Sequence, residues 1–291
     1  MLVRAPGACG ELAQGMADGR HFLITCPIDM YSSAQVKLMA GAGNVTGPAG
    51  SPKARRAVEL TLAHFRKFDV DADLRLSSTL PRGKGMASST ADICAAIVAT
   101  ATAMGREITP RETAQVALCV EPSDGIMLPH LAMFDHRNGE LAQVLGEPPP
   151  MRVLVLDFGG RVDTIAFNGV DRDDILMRLE ERLQESLSCI ITGIRRGDPG
   201  DIGRGATISS LANQEILYKP QLPAVLDLAS ATGAAGVNVA HSGTVIGILF
   251  PGADGVPEKA VSLVREKLPG LRRMFQRRLV SGGVVLQPDH T

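Results

Sequence analysis

The chain has 291 residues, a hydrophobic fraction of 45%, a charged fraction of 21% and a formal net charge of −1. This length is enough for one large domain or for two modest domains that share a core. Because aromatic residues make up only 3% of the chain and Trp is absent, stacking of single-stranded nucleic acid is not expected, and no global basic field attracts nucleic acid or an anionic membrane.

The first half of the sequence predicts strands that lead into helices. Three segments are apolar or alternate between apolar and polar residues and predict strands: 22–24, 34–38 and 73–77. Between them, residues 41–52 are dense in Gly, Pro and Ser and predict a loop. Residues 54–68 carry apolar residues at helical spacing, and residues 89–104 are apolar on nearly every side. Both segments predict helices. A further helix is predicted to open at Pro110 with Thr109 as its N-cap.

The proline run Glu147–Pro150 is the expected domain boundary, which divides the chain into residues 1–148 and 149–291. Beyond it, four segments predict strands: 151–156, 245–250, 272–278 and 284–287. Four others predict helices: 171–196, part of 201–217, 224–231 and 257–268. Strands and helices in this order indicate an α+β fold class.

The five cysteines are scattered, and no two have C-x-x-C spacing. This argues against both a disulfide framework and a zinc cage and fits a reducing compartment. No signal peptide is visible, and the longest apolar run, 93–104, is too short to span a bilayer. We therefore expect a cytoplasmic protein without a membrane partner, and the sequence leaves its oligomeric state open, a homodimer included.

The most informative segment is the loop Leu80–Ala91, which reads LPRGKGMASSTA and leads into the predicted helix 89–104. Glycines let a backbone come close to a ligand, and the free N–H groups and positive dipole end of a following helix favour an anion such as phosphate. The loop is neither a Walker A motif nor a dinucleotide fingerprint, because Gly-Lys-Ser/Thr and a third glycine are missing. Taken alone, it fits a surface turn before a capped core helix as well as a phosphate site.

Two other segments accompany this loop, Ala5–Leu12 (APGACGEL) and Gly236–Thr244 (GVNVAHSGT). In this order the three segments resemble the motifs of the superfamily of galactokinase, homoserine kinase, mevalonate kinase and phosphomevalonate kinase (GHMP kinases). The resemblance implies a ribosomal protein S5 domain 2-like N-terminal domain and a ferredoxin-like C-terminal domain, with the active site between them. Met86 and Ala87 depart from the usual Leu-Gly, and residues 240–243 depart from the usual run of glycines.

Two details look like one branch of that superfamily, the L-threonine kinases that make L-threonine O-3-phosphate for cobalamin. The first is ACGELxQG (residues 8–15) followed by Cys26–Ser32. The second is Glu121–Gly125 followed by Leu131–His136. The resemblance implies a small-molecule kinase that uses ATP and Mg. Two alternatives stay open: another hydroxy acceptor, such as homoserine or an isoprenoid alcohol, and a catalytically silent protein that only binds nucleotide.

The resemblance also implies roles for individual residues of the loop and its neighbours. The expected ATP-binding residues are Pro81, Gly83, Lys84, Gly85, Met86, Ala87, Ser88, Ser89 and Thr90. Ser89 and Glu121 are the expected metal ligands, since Mg²⁺ prefers hard oxygen donors. Lys84 could instead be a solvated loop lysine, and Glu121 a surface residue at a helix end.

Asp124 stands in the turn-prone segment EPSDG, where aspartates usually bond to the local backbone. By resemblance it is the base that accepts or orients the proton of the acceptor hydroxyl, and we favour this role, which requires hydrogen-bond reach of that oxygen. An amino-acid substrate needs partners for its ammonium and its carboxylate. The candidates for substrate binding are Arg4, Glu11, Asp29, His241 and Ser242. Glu11 and Asp29 could also be structural anchors, and Ser242 lacks the G-x-S-x-G setting of a nucleophile.

Overall fold

The structure, a computed structural model, describes residues 1–287, and of Thr164 and Ile165 it describes the backbone alone. Within that range the strands are β1 (Leu2–Ala17), β2 (Arg20–Ala40), β3 (Val45–Thr46), β4 (Val70–Ser78), β5 (Leu131–Phe134), β6 (Ala142–Gly146), β7 (Met151–Asp157), β8 (Gly236–Val239), β9 (Val245–Pro251), β10 (Arg273–Arg278) and β11 (Val285–Gln287). The helices are α1 (Pro52–His64), α2 (Ser88–Ala103), α3 (Pro110–Leu118), α4 (Thr164–Asn168), α5 (Asp173–Arg178), α6 (Glu180–Arg196), α7 (Pro199–Asn213), α8 (Leu222–Ala231) and α9 (Glu258–Lys267). No helix in the described range is both long and apolar enough to cross a membrane.

One sheet of 11 strands runs through the molecule in the order β10-β7-β9-β8-β1-β2-β4-β3, with β11 on β1, β5 on β2 and β6 on β5. Its centre is the antiparallel pair β1–β2, whose register shifts between Pro6 and Gly7 and again on either side of Glu11. Such irregularities bend a strand and re-aim its side chains. Because β8 pairs with β1 through Val239 and Glu11, hydrogen bonding continues across the expected boundary at 148/149, and the two-domain division stays a prediction.

The C-terminal strands have ferredoxin-like topology. Along the chain, β7 is followed by helices, then by β8, β9, α9 and β10, and in space the order is β10-β7-β9-β8. This β-α-β-β-α-β arrangement agrees with the expected fold. Both faces of β7 are buried, since Val153 and Val155 lie in the large core while Leu154 and Leu156 lie in a second core with α8 and α9.

The long buried helix predicted at 89–104 is confirmed as α2. It packs on β1, β2 and α1, and most of its residues are inaccessible to solvent. The predicted capping of α3 is confirmed too, because the Thr109 hydroxyl accepts from Glu112 N while Glu112 accepts from Thr109 N. A buried helix at the centre of the fold gives its N-terminal end a fixed position.

Several predicted elements differ in extent from those observed. The strands expected at 22–24 and 34–38 are parts of one strand, β2, and the helix expected at 171–196 is divided at Leu179 into α5 and α6. Five strands were not predicted: β1, β3, β5, β6 and β8. In β1 every residue from Ala5 to Gly15 is buried, so the strand has no polar face and shows no alternation.

Candidate active site

A cavity of about 450 Å³ opens where β1, the start of α2 and the segment after α3 meet. The predicted site residues on its wall are Glu11, Gly83, Gly85, Met86, Ala87, Ser88, Ser89, Thr90, Glu121, Asp124, His241 and Ser242. Further wall residues that the sequence did not single out include Lys53, Arg82, Asp92, His136 and Asn168. Most of the residues expected from sequence therefore share one space.

The loop before α2 has its carbonyl oxygens hydrogen-bonded to backbone N–H groups. The Gly83 carbonyl accepts from the N–H of Val162, and the Lys84 carbonyl accepts from those of Thr244 and Val245. The Gly85 carbonyl accepts from the N–H of Gly10, and the Met86 carbonyl from that of Ala8. At the same time, the N-cap residue of α2 is Ala87, whose side chain makes no capping bond. The first N–H groups of α2 are therefore left for a ligand in the cavity, as in an anion site at a helix N-terminus.

Glycines hold the three motifs together at this point. A Cβ at Gly10 would come within 2.5 Å of Ala240 N, and one at Gly85 would come within 2.3 Å of Ala240 Cβ. A Cβ at Gly243 would lie 2.3 Å from Gly85 N. The first and third motifs thus pack backbone to backbone against the loop. The altered third motif keeps glycine at 243, where a side chain has no room.

Ala87 is the N-cap of α2 and has φ of +52°. A residue with a Cβ pays roughly 1–2 kcal/mol in this left-handed conformation. The backbone at Ala87 therefore has a left-handed conformation that a glycine would adopt freely.

Glu121 and Ser89 lie side by side on the cavity wall. The Ser89 hydroxyl donates to Glu121 Oε1, and the Lys53 ammonium pairs with Glu121 Oε2 at 2.5 Å. The Glu121 side chain is only 2% exposed, so it is not a surface residue. A hydroxyl and a carboxylate oxygen that converge beside a phosphate site fit the donor preference of Mg²⁺. No group of three or more His, Cys, Asp or Glu suited to a metal occurs in the described part of the chain, but Mg²⁺ bound with a nucleotide needs only one or two carboxylates.

Asp124 lies between Glu121 and the start of α2. Its Oδ2 accepts from the Thr90 hydroxyl at 3.3 Å, and its N–H donates to the same hydroxyl oxygen. Burial raises the pKa of Asp124 to about 6, the charge of Glu121 adds to this rise, and the Thr90 hydroxyl opposes it. A carboxyl with a pKa near the working pH is suited to proton transfer.

Glu11 and His241 also line the cavity. Burial, followed by the charge of Asp124, holds the pKa of Glu11 well above its ordinary value. Burial likewise holds the pKa of His241 well below its ordinary value. A largely dry region that disfavours isolated charge thus adjoins the loop, and it would favour a ligand that brings compensating charges.

Several predicted site residues lie elsewhere, because tertiary partners hold their side chains. Lys84 Nζ pairs with Asp157 Oδ1 at 2.9 Å and donates to the carbonyl of Gly160, so it anchors the loop and is not a solvated lysine. Asp29 accepts from the backbone and side-chain nitrogens of Arg278, both at 2.8 Å.

Pro81 is also absent from the cavity wall. Arg4, a candidate substrate residue, stacks on the ring of Tyr31 at 4.1 Å. The cavity wall includes none of Pro81, Lys84, Arg4 and Asp29, and their expected contacts with ATP or substrate stay predictions.

Known proteins are similar to this chain over nearly its whole length. The L-threonine kinase of Salmonella typhimurium is 32% identical over 295 residues, which cover 98% of this chain and 95% of that protein. The L-threonine kinase of Citrobacter freundii is 30% identical over 291 residues, which cover 98% of this chain and 99% of that protein. The crystal structure of homoserine kinase from Cytophaga hutchinsonii matches the fold with a TM-score of 0.74 at 15% identity, covering 98% of this chain and 96% of that one.

Two family models match the chain on either side of the expected boundary. Residues 53–131 match the model of the GHMP kinases N terminal domain, and residues 190–269 match that of the GHMP kinases C terminal. Together with the relatives and the sheet topology, these matches confirm the fold expected from the three motifs. The chain belongs to the GHMP kinase family.

Proposed function

We propose that this protein transfers the γ-phosphoryl group of ATP to the side-chain hydroxyl of L-threonine, producing L-threonine O-3-phosphate and ADP. The observation that carries the proposal is the convergence of the α2 N-terminus, the Ser89–Glu121 pair and Asp124 on one cavity. Similarity to L-threonine kinases over 98% of the chain supports threonine as the acceptor.

The triphosphate of ATP would lie against the loop and the first turn of α2, in contact with Gly83, Gly85 and residues 86–90. Backbone N–H groups there supply several donors at once, and the helix dipole adds positive potential. Arg82 stands at the rim of this region, where its guanidinium donates to the Gly50 carbonyl at 2.6 Å and pairs with Asp92 at 3.5 Å. Phosphoryl transfer needs this kind of positioning more than covalent chemistry.

Ser89 and Glu121 would hold Mg²⁺, which supplies charge neutralisation of the phosphates when bound. The Lys53 ammonium now neutralises Glu121. Since an ammonium and a divalent cation compete for the same carboxylate, Lys53 would turn from Glu121 toward the phosphates when the metal binds.

Asp124 would receive the proton of the threonine hydroxyl. As the hydroxyl oxygen forms its bond to the γ-phosphorus, the bond from that phosphorus to the β–γ bridging oxygen breaks and ADP leaves. With a pKa of about 6, Asp124 is mostly ionised at neutral pH, so it can accept this proton and release it to water after product leaves.

The wider setting completes the proposal. The resemblance to the threonine kinase branch supports a role of the product in cobalamin biosynthesis, and five free cysteines support a reducing, cytoplasmic setting. We propose small-molecule substrates and no nucleic-acid partner, and a homodimer is compatible with this function. The division at 148/149 would put the loop in the N-terminal part and His241 in the C-terminal part of one site.

The test measures steady-state kinetics with Mg-ATP and a panel of acceptors. ADP release is followed by a coupled assay, and the product is identified by ³¹P NMR. We expect L-threonine to give the highest kcat/KM and a phosphate ester on its side-chain oxygen. A higher kcat/KM for homoserine or an isoprenoid alcohol would assign another acceptor. Tight ATP binding with no ADP release for any acceptor would indicate a catalytically silent protein.

A further inference from the structure

We infer that the part of the cavity lined by Glu11, His136 and His241 binds the α-amino and α-carboxylate groups of the acceptor together, with Glu11 on the ammonium and His136 on the carboxylate. His136 is then a specificity-determining residue, and the acceptor class is a zwitterionic α-amino acid. The inference rests on the proposed function, since it names what selects the acceptor of that same site.

Glu11 and His136 are buried side chains with unpaired polar atoms, although Thr25 lies near enough to Glu11, and Asn168 near enough to His136, to influence their pKa values. Glu11 is 4% exposed and His136 is 3% exposed. Among the described residues, Glu11 Oε2 and both ring nitrogens of His136 have no hydrogen-bond partner. Buried polar atoms are nearly always hydrogen-bonded, and exceptions call for an explanation. Both residues line the cavity, so a bound ligand with its own polar groups provides that explanation.

The fold brings these residues close to one another. Glu11 on β1 pairs in register with Val239 on β8, two residues before His241. The rings of His241 and His136 meet edge to face with centroids 4.8 Å apart. His136 follows β5, whose Phe134 is paired with Leu23 on β2. The arrangement is thus built by the central strands and not by a surface loop.

His241 is already committed to the protein, which leaves His136 as the available donor. Gln14 Nε2 donates to the Val239 carbonyl, and Asn213 donates to Gln14 Oε1 at 2.9 Å. These two bonds fix the amide orientation, so Gln14 Oε1 accepts from His241 Nδ1 at 2.8 Å. His241 therefore positions the neighbouring ring, while a nitrogen of His136 can donate to a ligand carboxylate.

The charges around this region are arranged as a dipole. On one side stand the carboxyls of Glu11 and Asp124. On the other side, burial and then the positive charge of Arg137 lower the pKa of His136 to about 4, and the charge of Asp135 opposes this only in part. Lys219, which is buried and donates to the Ala240 carbonyl at 3.0 Å, exerts the same influence on His241. A zwitterion matches this pattern, because its ammonium compensates the carboxyls and its carboxylate compensates the cationic side.

The experiment compares acceptors that lack one group each. L-Threonine is measured against 1-amino-2-propanol, which lacks the carboxylate, and against 3-hydroxybutyrate, which lacks the ammonium. Because a hydrogen bond to a charged group contributes enough for roughly a 10- to 100-fold effect, we expect kcat/KM to fall by about that factor for each analogue. An analogue used as well as threonine would overturn the inference and leave the proposed function standing.

Variants then locate the effect. His136→Leu should lower kcat/KM for threonine about 10- to 100-fold and abolish the preference for threonine over 1-amino-2-propanol, because the donor to the carboxylate is gone. His136→Asn, which keeps a donor, should recover part of that preference. His64→Leu, the same change on the exposed side of α1, is the control and should keep it fully.

Preference that survives in His136→Leu would overturn the assignment of His136. If that variant does not fold, as judged by its melting temperature, the wild-type comparison of analogues decides alone. Threonine that is neither bound nor phosphorylated by wild-type protein would overturn the inference and the proposed function together.

Discussion

Replacement of Gly243 by Ala tests whether the third motif positions the phosphate loop. The new Cβ would lie 2.3 Å from Gly85 N and equally close to the carbonyl carbon and oxygen of Lys84. Optimal contacts between carbon atoms are 3.5–4.0 Å, so the separation is short by about 1 Å. The clashing atoms belong to backbone that is held by hydrogen bonds from Gly10 and Thr244. The loop must therefore shift as a unit.

Overpacking of this kind costs about 1–3 kcal/mol in the free energy of unfolding. A displacement of about 1 Å near a reacting group can lower turnover by roughly 100-fold. We expect Gly243→Ala to lose stability in urea denaturation within that range, to raise the Kd for ATP in calorimetry and to lower kcat/KM about 100-fold.

The matched control is Gly200→Ala in the first turn of α7. There the nearest atom to a new Cβ is the carboxylate oxygen of Asp198 at 3.1 Å, which is the movable end of a side chain. We expect its stability to change by no more than about 1 kcal/mol, because Ala is favoured over Gly in helices. Gly243→Ala with wild-type ATP affinity and turnover would refute the reasoning.

Two further predictions concern Asp124 and Lys53 at the cavity, and a third concerns Asp29 outside it. The kcat/KM for threonine should fall as pH drops through about 6, because protonated Asp124 cannot accept a proton; a flat profile from pH 5 to 8 would contradict this. Lys53→Met should lower the free energy of unfolding without metal by about 1 kcal/mol, since its partner Glu121 is buried but Lys53 is 42% exposed. In urea titrations, Mg²⁺ should restore most of this loss. The control Arg56→Met, at an exposed ion pair, should change the free energy of unfolding by less than about 0.5 kcal/mol. Asp29→Asn should lower the melting temperature slightly and leave the KM for threonine unchanged, because Asp29 lies outside the cavity; a raised KM would return it to the substrate site.

The sequence predicts those elements whose pattern is local. The all-round apolar character of α2 predicted its burial, and Thr109 with Pro110 predicted the start of α3, because caps and periodicity are properties of neighbouring residues. Strand β1 was missed because small residues buried on both faces leave no alternation. Its role depends on β2 and β8, which no local pattern reveals.

Within the candidate site, the same distinction holds. Ser89, Glu121 and Asp124 occupy a loop and turn whose backbone course follows from the motifs, and the structure brings them to one cavity. Lys84 pairs with Asp157, which lies 73 residues away in the sequence, so no local pattern could reveal this bond. His136 ends the segment Leu131–His136, whose resemblance to one branch gave the residue no role, and the burial of its unpaired ring nitrogens draws attention to it.

In the proposed site, the loop holds ATP so that its γ-phosphate faces Asp124. The Asp124 carboxylate then serves phosphoryl transfer and not nucleotide binding. A paired measurement on Asp124→Asn tests it most directly: the Kd for ATP by calorimetry, and the single-turnover rate of phosphoryl transfer to L-threonine in the same samples. We expect a Kd within about twofold of wild type and a rate lower by about 100-fold or more. An unchanged transfer rate, or a Kd that rises as much as the rate falls, would contradict it.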